Sequence, residues 1–102
     1  MFGESKEINR SKIMEGKIIQ KVWDVSNEAM LEVLDAITKH PSLNGPHEGW
    51  AVIAEEFDEL WDEVKKRDRD IGKMRAEAIQ VAAMAIRFVI DVCDKEERKE
   101  FV

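Results

Sequence analysis

The sequence predicts an all-α protein, a helical bundle of three to four main helices per chain. Three observations carry this. Apolar residues recur at helical rather than alternating spacing along most of the chain. There is no Tyr, there are five Gly and two Pro, and runs of β-branched residues are few. Charged residues make up 37% of the chain, a high share that suits solvated helix faces. At 102 residues the chain reads as one domain, residues 1–102. Such a chain buries about two thirds of the surface its unfolded form exposes, enough for one core.

The first ten residues are polar and weakly patterned, and a flexible, frayed end is expected there; Phe2 is open to docking on a partner subunit. From Ser11 to His40 the apolar stripe is Ile13, Ile18, Ile19, Val22, Val25, Ala29, Met30, Val33, Leu34 and Ile37. This predicts one long helix, or two in series with a restart at Ser26-Asn27, ending before Pro41. Trp23 lies near the stripe, with core packing and base stacking as its two uses. Pro-Ser-Leu-Asn-Gly-Pro (41–46) is a loop. Gly45 as N-cap, Pro46 at the first helical position and Glu48 in the first turn then open a second helix, running to about Lys66. His47 at that start is an exposed loop histidine or a contact for an anionic ligand. Lys65, Lys66 and Arg67 oppose the helix dipole in the last turn, or reach phosphates. Asp70 is the expected N-cap of a third helix from Ile71 to about Cys93, hydrophobic around most of its circumference and therefore central. The tail from Asp94 to Val102 extends that helix or frays, with Phe101 as an oligomer contact.

Charge narrows the function. The net charge of −6 argues against polymeric nucleic acid and against an anionic membrane as partner. A nucleotide stays open, because a bound metal reverses the local sign. The lone Cys93 fits a reducing compartment, no apolar run spans a bilayer, and the N-terminus has no signal-peptide pattern, so the expected location is cytoplasmic.

The second helix carries the most informative stretch, Glu55-Glu56-Phe57-Asp58-Glu59-Leu60-Trp61-Asp62-Glu63. Six of its nine residues are acidic and none is basic. Like charges at i,i+3 and i,i+4 cost roughly 0.2–0.5 kcal/mol per pair. An external cation would relieve them, a divalent metal most simply. On the third helix Glu77, Gln80, Met84, Arg87 and Asp91 form a narrow strip at alternating three- and four-residue steps. An unpaired carboxylate in that strip needs a partner. A metal shared with the acidic helix, pairing with Arg87 and Lys73, and simple exposure are the three solutions.

Glu55-Glu56-x-x-Glu59, then a linker, then Glu77-x-x-Gln80 resembles the signature of the MazG-type all-α nucleoside triphosphate pyrophosphohydrolases, E-E-x-x-E followed by E-x-x-D. The resemblance runs from about His47 to Asp91. It includes the helix opening Pro46-His47-Glu48-Gly49-Trp50 and the apolar continuation Val81-Ala82-Ala83-Met84-Ala85. It implies a MazG-like bundle completed by oligomerisation, as a homodimer or homotetramer. It implies hydrolysis of a (deoxy)nucleoside triphosphate to the monophosphate and pyrophosphate, with Mg²⁺, or alternatively Mn²⁺, as cofactor. Glu56, Glu59, Glu77 and Gln80 would be the metal ligands, Glu55 and Glu56 the catalytic pair, and Glu63 an auxiliary carboxylate. Lys65, Lys66, Lys73, Arg75 and Arg87 are the cations for the phosphates; Lys73, Arg87, Asp91 and Trp50 are the expected substrate-binding residues. The chain departs from the pattern at Gln80, where the family has Asp. A Gln carbonyl still ligates a divalent ion but brings no charge. A catalytically weakened binder of nucleotide or metal is therefore the alternative, and a structural helical oligomer the third.

Overall fold

The computed structural model describes residues 5–94, with side chains from Lys12 onward. Phe2 and Phe101, singled out as possible contacts, lie outside the described residues. Among the described residues the chain is all-helical: α1 spans Ser5–Lys39, α2 Pro46–Val64 and α3 Ile71–Phe88, and a π-helical segment, Val89–Asp94, follows α3 directly. No helix is long and apolar enough to cross a membrane.

α1 begins before Ser11 and runs through Ser26-Asn27 without a break. Both residues are exposed there. Each costs a helix only a few tenths of a kcal/mol relative to the best formers, about 0.7 at most. The helix stops at Lys39, since Pro41 disfavours helical backbone at His40. α2 opens as the sequence indicates, on Gly45 with Pro46 at its first position. Gly45 offers no side-chain cap; instead Glu48 reaches back to accept from the backbone N–H of Asn44 at 3.2 Å. Asp70 caps α3, accepting from the N–H of Lys73 at 3.1 Å.

α3 is the central element, packed on both α1 and α2. The core is small: Val33, Ala83 and Met84 are buried, with Ala36, Val52 and Ile53 packed around them. The face that α3 turns inward carries the polar strip. Met84, Arg87 and Asp91 are buried and Glu77 and Gln80 half-buried, so the polar strip faces the rest of the chain. The apolar positions Ala78, Ala82, Ala85, Ile86 and Val89 face out. Nor do the tryptophans enter the core: Trp23, for which core packing was one of two uses, is 65% exposed, Trp50 63% and Trp61 59%.

α1 is longer than the body it packs on. Its 35 residues extend ~52 Å at 1.5 Å per residue. The radius of gyration is 18.6 Å, against ~13 Å for a compact chain of about this length.

Candidate functional site

The acidic face of α2 meets α3 because the two helices form an antiparallel hairpin across the short connection 65–70. Glu56 and Glu59, three residues apart, project from the same side of α2. Glu77 faces them from the second turn of α3. Each of these residues offers one carboxylate oxygen, and the three oxygens all lie within 4.8 Å of one another. Glu56 and Glu77 are half-buried and Glu59 is exposed.

Such a cluster is electrostatically strained on its own. Oε2 of Glu56 and Oε2 of Glu77 are buried from solvent with no hydrogen-bond partner, as is Oε1 of Glu63 one turn farther along α2. Burial, then the charges of Glu59, Glu77 and Glu55, push the Glu56 carboxyl up to about 7. Glu77 is raised too, first by burial and then by Glu59 and Glu63. The donor set is oxygen only, the kind a hard divalent cation takes. Two oxygens removed from water without a donor are what such an ion would satisfy, so the residues fit Mg²⁺ or Mn²⁺ chemically.

Beside the cluster lies an open groove of about 480 Å³. Glu55, Glu56 and Glu48 of α2 line it, with Gln80 and Arg87 of α3, Glu32 and Asp35 of α1, and the connection His40–Asn44. Glu56 thus belongs to both the cluster and the groove. Glu32 and Asp35 were not among the residues the sequence singled out. Their signal was present, since Glu28, Glu32 and Asp35 recur at steps of four and three on the edge of the α1 core stripe.

The expected cations are placed differently from the carboxylates. Lys65 pairs with Asp62 at 3.0 Å and Lys66 with Glu63 at 2.8 Å. Arg75 binds Glu28 of α1 through both guanidinium nitrogens. Lys73 and Trp50 are exposed and do not line the groove. Arg87 does line it, yet its guanidinium is engaged within the chain: Nε donates to Oδ2 of Asp91 at 2.9 Å, and Nη2 donates to the carbonyls of His40, at 3.0 Å, and Pro41. Arg87 and Asp91, expected as substrate contacts, are instead buried partners of each other and of the α1–α2 connection. Among the described residues that line the groove, acids outnumber cations heavily.

Compared with family models, with curated proteins and with solved structures, the chain finds no match in any of the three.

Proposed function

We infer that this chain is a Mg²⁺-dependent nucleoside triphosphate pyrophosphohydrolase, similar to the MazG-type enzymes its motif resembles, cleaving a (deoxy)nucleoside triphosphate to the monophosphate and pyrophosphate. One observation carries the inference. Carboxylates from two helices converge within 4.8 Å, and two of them keep a buried oxygen with no donor. A merely solvated acidic face has no reason to bury those oxygens, because each loses its water without compensation.

Glu56, Glu59 and Glu77 would hold the cation, and the Gln80 carbonyl could add an uncharged oxygen. Bound Mg²⁺, or Mn²⁺, supplies the positive charge that offsets the charge growing on the pyrophosphate leaving group. Glu55, exposed on the groove wall beside Glu56, orients the attacking water and takes its proton as the α-phosphorus is attacked. The groove receives the nucleotide. With Arg87 engaged elsewhere and Lys73 outside the groove, the cations among the described residues compensate little of the triphosphate charge, which makes the metal important to binding as well as to turnover. The protein acts in the cytoplasm, where a lone cysteine stays reduced. It acts as a homodimer or homotetramer, because one chain leaves long apolar faces of α1, α2 and α3 uncovered.

The test is release of pyrophosphate from a panel of dNTPs with Mg²⁺, by the wild-type chain and by Glu56→Gln. Turnover lost in Glu56→Gln supports the enzyme. Gln80 favours a second reading, a nucleotide binder without turnover, and triphosphate-dependent thermal stabilisation without pyrophosphate would establish it. Neither stabilisation nor pyrophosphate would leave only a structural oligomer.

A further inference from the structure

We propose that Arg87 and Asp91 are positioning residues, which strap the α1–α2 connection to the end of α3 and thereby set one wall of the nucleotide groove. The proposal rests on the nucleotide reading above and adds to it residues that touch neither metal nor reacting atoms.

The strap is built from five polar contacts. Oδ2 of Asp91 accepts from Nε of Arg87 at 2.9 Å and from the backbone N–H of Leu43 at 3.0 Å. Arg87 in turn donates to the carbonyls of Ala36, at 3.4 Å, His40, at 3.0 Å, and Pro41. Those carbonyls belong to the last turn of α1 and the residues just beyond it; that of Ala36 also accepts from the N–H of His40 at 2.9 Å, whereas those of His40 and Pro41 lie past the last helical donor. A cation there also opposes the negative end of the α1 dipole. Arg87 therefore finishes α1 from a different helix, and Asp91 fixes the N–H of Leu43, two residues beyond Pro41. Leu43, between them, is 4% exposed, so its side chain anchors the same segment from below.

Backbone held in this way presents what remains free. Ser42 and Asn44 are exposed, flank the buried Leu43, and line the groove with His40. Both strap residues are nearly sealed from solvent, Arg87 at 4% and Asp91 at 9% exposure. A buried ion pair is a poor route to stability alone, since apolar residues of like volume do as well or better. Every polar contact of this one outside the pair goes to the last turn of α1 or to the connection that follows it. Its distinctive product is a fixed loop geometry.

The test uses the full chain. Asp91→Asn keeps an acceptor for the Leu43 N–H but loses the charge that orients Arg87. Arg87→Lys keeps the charge but loses the fork that reaches Asp91 and the carbonyls together. Pyrophosphate release gives KM and kcat, Mn²⁺ titration without nucleotide gives metal affinity, and hydrogen exchange reads the Leu43 amide. In both variants KM is expected to rise about tenfold while kcat and Mn²⁺ affinity stay within about threefold, the pattern of lost binding geometry. The Leu43 amide is expected to exchange at least about tenfold faster, with the Ala83 amide unchanged, the pattern of a local opening. If either variant fails to fold, Asp91→Glu, which keeps the charge and displaces the loop by one methylene, is expected to raise KM in the same direction. An unchanged KM, or a loss of Mn²⁺ affinity that matches the loss of activity, overturns the positioning role while leaving the enzyme in place. A wild-type chain that binds Mn²⁺ but no triphosphate overturns the nucleotide reading, and this role with it.

Discussion

Gly49 of α2 sits directly against the ring of Phe88 at the end of α3: a β-carbon on Gly49 would lie 2.5 Å from Cδ2 and 2.7 Å from Cε2 of that ring. This close approach sets the register of the hairpin. Ten residues on from Gly49 along α2 stands Glu59; eleven residues back from Phe88 along α3 stands Glu77. In an antiparallel pair these two steps are nearly equal, so the contact at one end of the hairpin brings the carboxylates level at the other.

Gly49→Ala is accordingly expected to destabilise the chain. Overpacking costs about 1–3 kcal/mol. The better helix propensity of Ala returns roughly 1 kcal/mol. The net loss lowers the melting midpoint by several degrees, and Mn²⁺ affinity falls as the register shifts. Combining it with Phe88→Ala, which removes the obstructing ring, makes Gly49→Ala neutral or stabilising relative to Phe88→Ala alone. A midpoint that falls equally in both backgrounds would show that the ring is not what the glycine accommodates.

Removing one charge from the cluster has opposite effects with and without metal. Glu56 is held among Glu55, Glu59 and Glu77 with one oxygen buried and unpaired. Glu56→Gln relieves that repulsion, so the metal-free variant melts above the metal-free wild type at pH 8. On the proposed metal site, Mg²⁺ is expected to raise the wild-type midpoint, by about 2.7 kcal/mol of stability at one hundred times its dissociation constant. The variant gains little or nothing. Calorimetry with and without Mg²⁺ reads both signs, and equal responses of the two proteins to Mg²⁺ would exclude Glu56 as a ligand.

The raised Glu56 carboxyl also sets a pH dependence. Its native value of about 7 lies above the ordinary 4.5, so between those limits the folded chain binds more protons than the unfolded one. Stability must then fall as pH rises through this window. Its contribution is fully present below about 4.5 and gone above about 7. Glu77, raised in the same direction, adds to the slope. Metal bound as proposed is expected to reverse the trend, because a ligand carboxylate must be deprotonated and binding expels the proton. Melts in chelator from pH 5 to pH 8 are expected to decline, flatten in Glu56→Gln, and flatten or rise in the wild type with Mg²⁺. Mn²⁺ affinity is expected to increase across the same range.

Much of this arrangement is legible in the residues, and what is not has identifiable causes. Local signals sufficed for the start of α2 at Pro46 and the cap at Asp70, since both act within one turn. The three-residue step puts Glu56 and Glu59 on one face without knowledge of the fold. Arg87 was harder: an Arg four residues before an Asp suggests an exposed intrahelical pair, and its other partners are backbone carbonyls near residue 40, which have no sequence signature. The π-helical turn after Phe88 is likewise silent in residue type. How much of the apolar circumference of α3 stays uncovered within one chain is not legible, because hydrophobicity indicates that a surface is covered, not which chain covers it. The same cause explains Trp50, Trp61 and the first half of α1.

That uncovered surface gives the last prediction. Met14, Ile18, Val22 and Val25 continue, at four- and three-residue steps, the same stripe as the buried Ala29 and Val33. Among the described residues of one chain nothing lies beneath them; Ile18 is 59% and Val22 60% exposed. This part of α1 carries a slight basic excess, with Lys12, Lys17 and Lys21 against Glu15 and Asp24, while α2 is densely acidic. A second copy offers the acidic, apolar surface that such a segment complements, whereas another basic partner would be repelled. Sedimentation at micromolar concentration is expected to give a dimer or tetramer. Ile18→Asp with Val22→Asp, which places two charges in the stripe far from the carboxylate cluster, is expected to shift it to monomer and to lower the melting midpoint by more than a surface substitution would. Wild-type chain that sediments as a monomer, or a double variant that assembles as the wild type does, would mean that this stripe is not the surface holding the copies together.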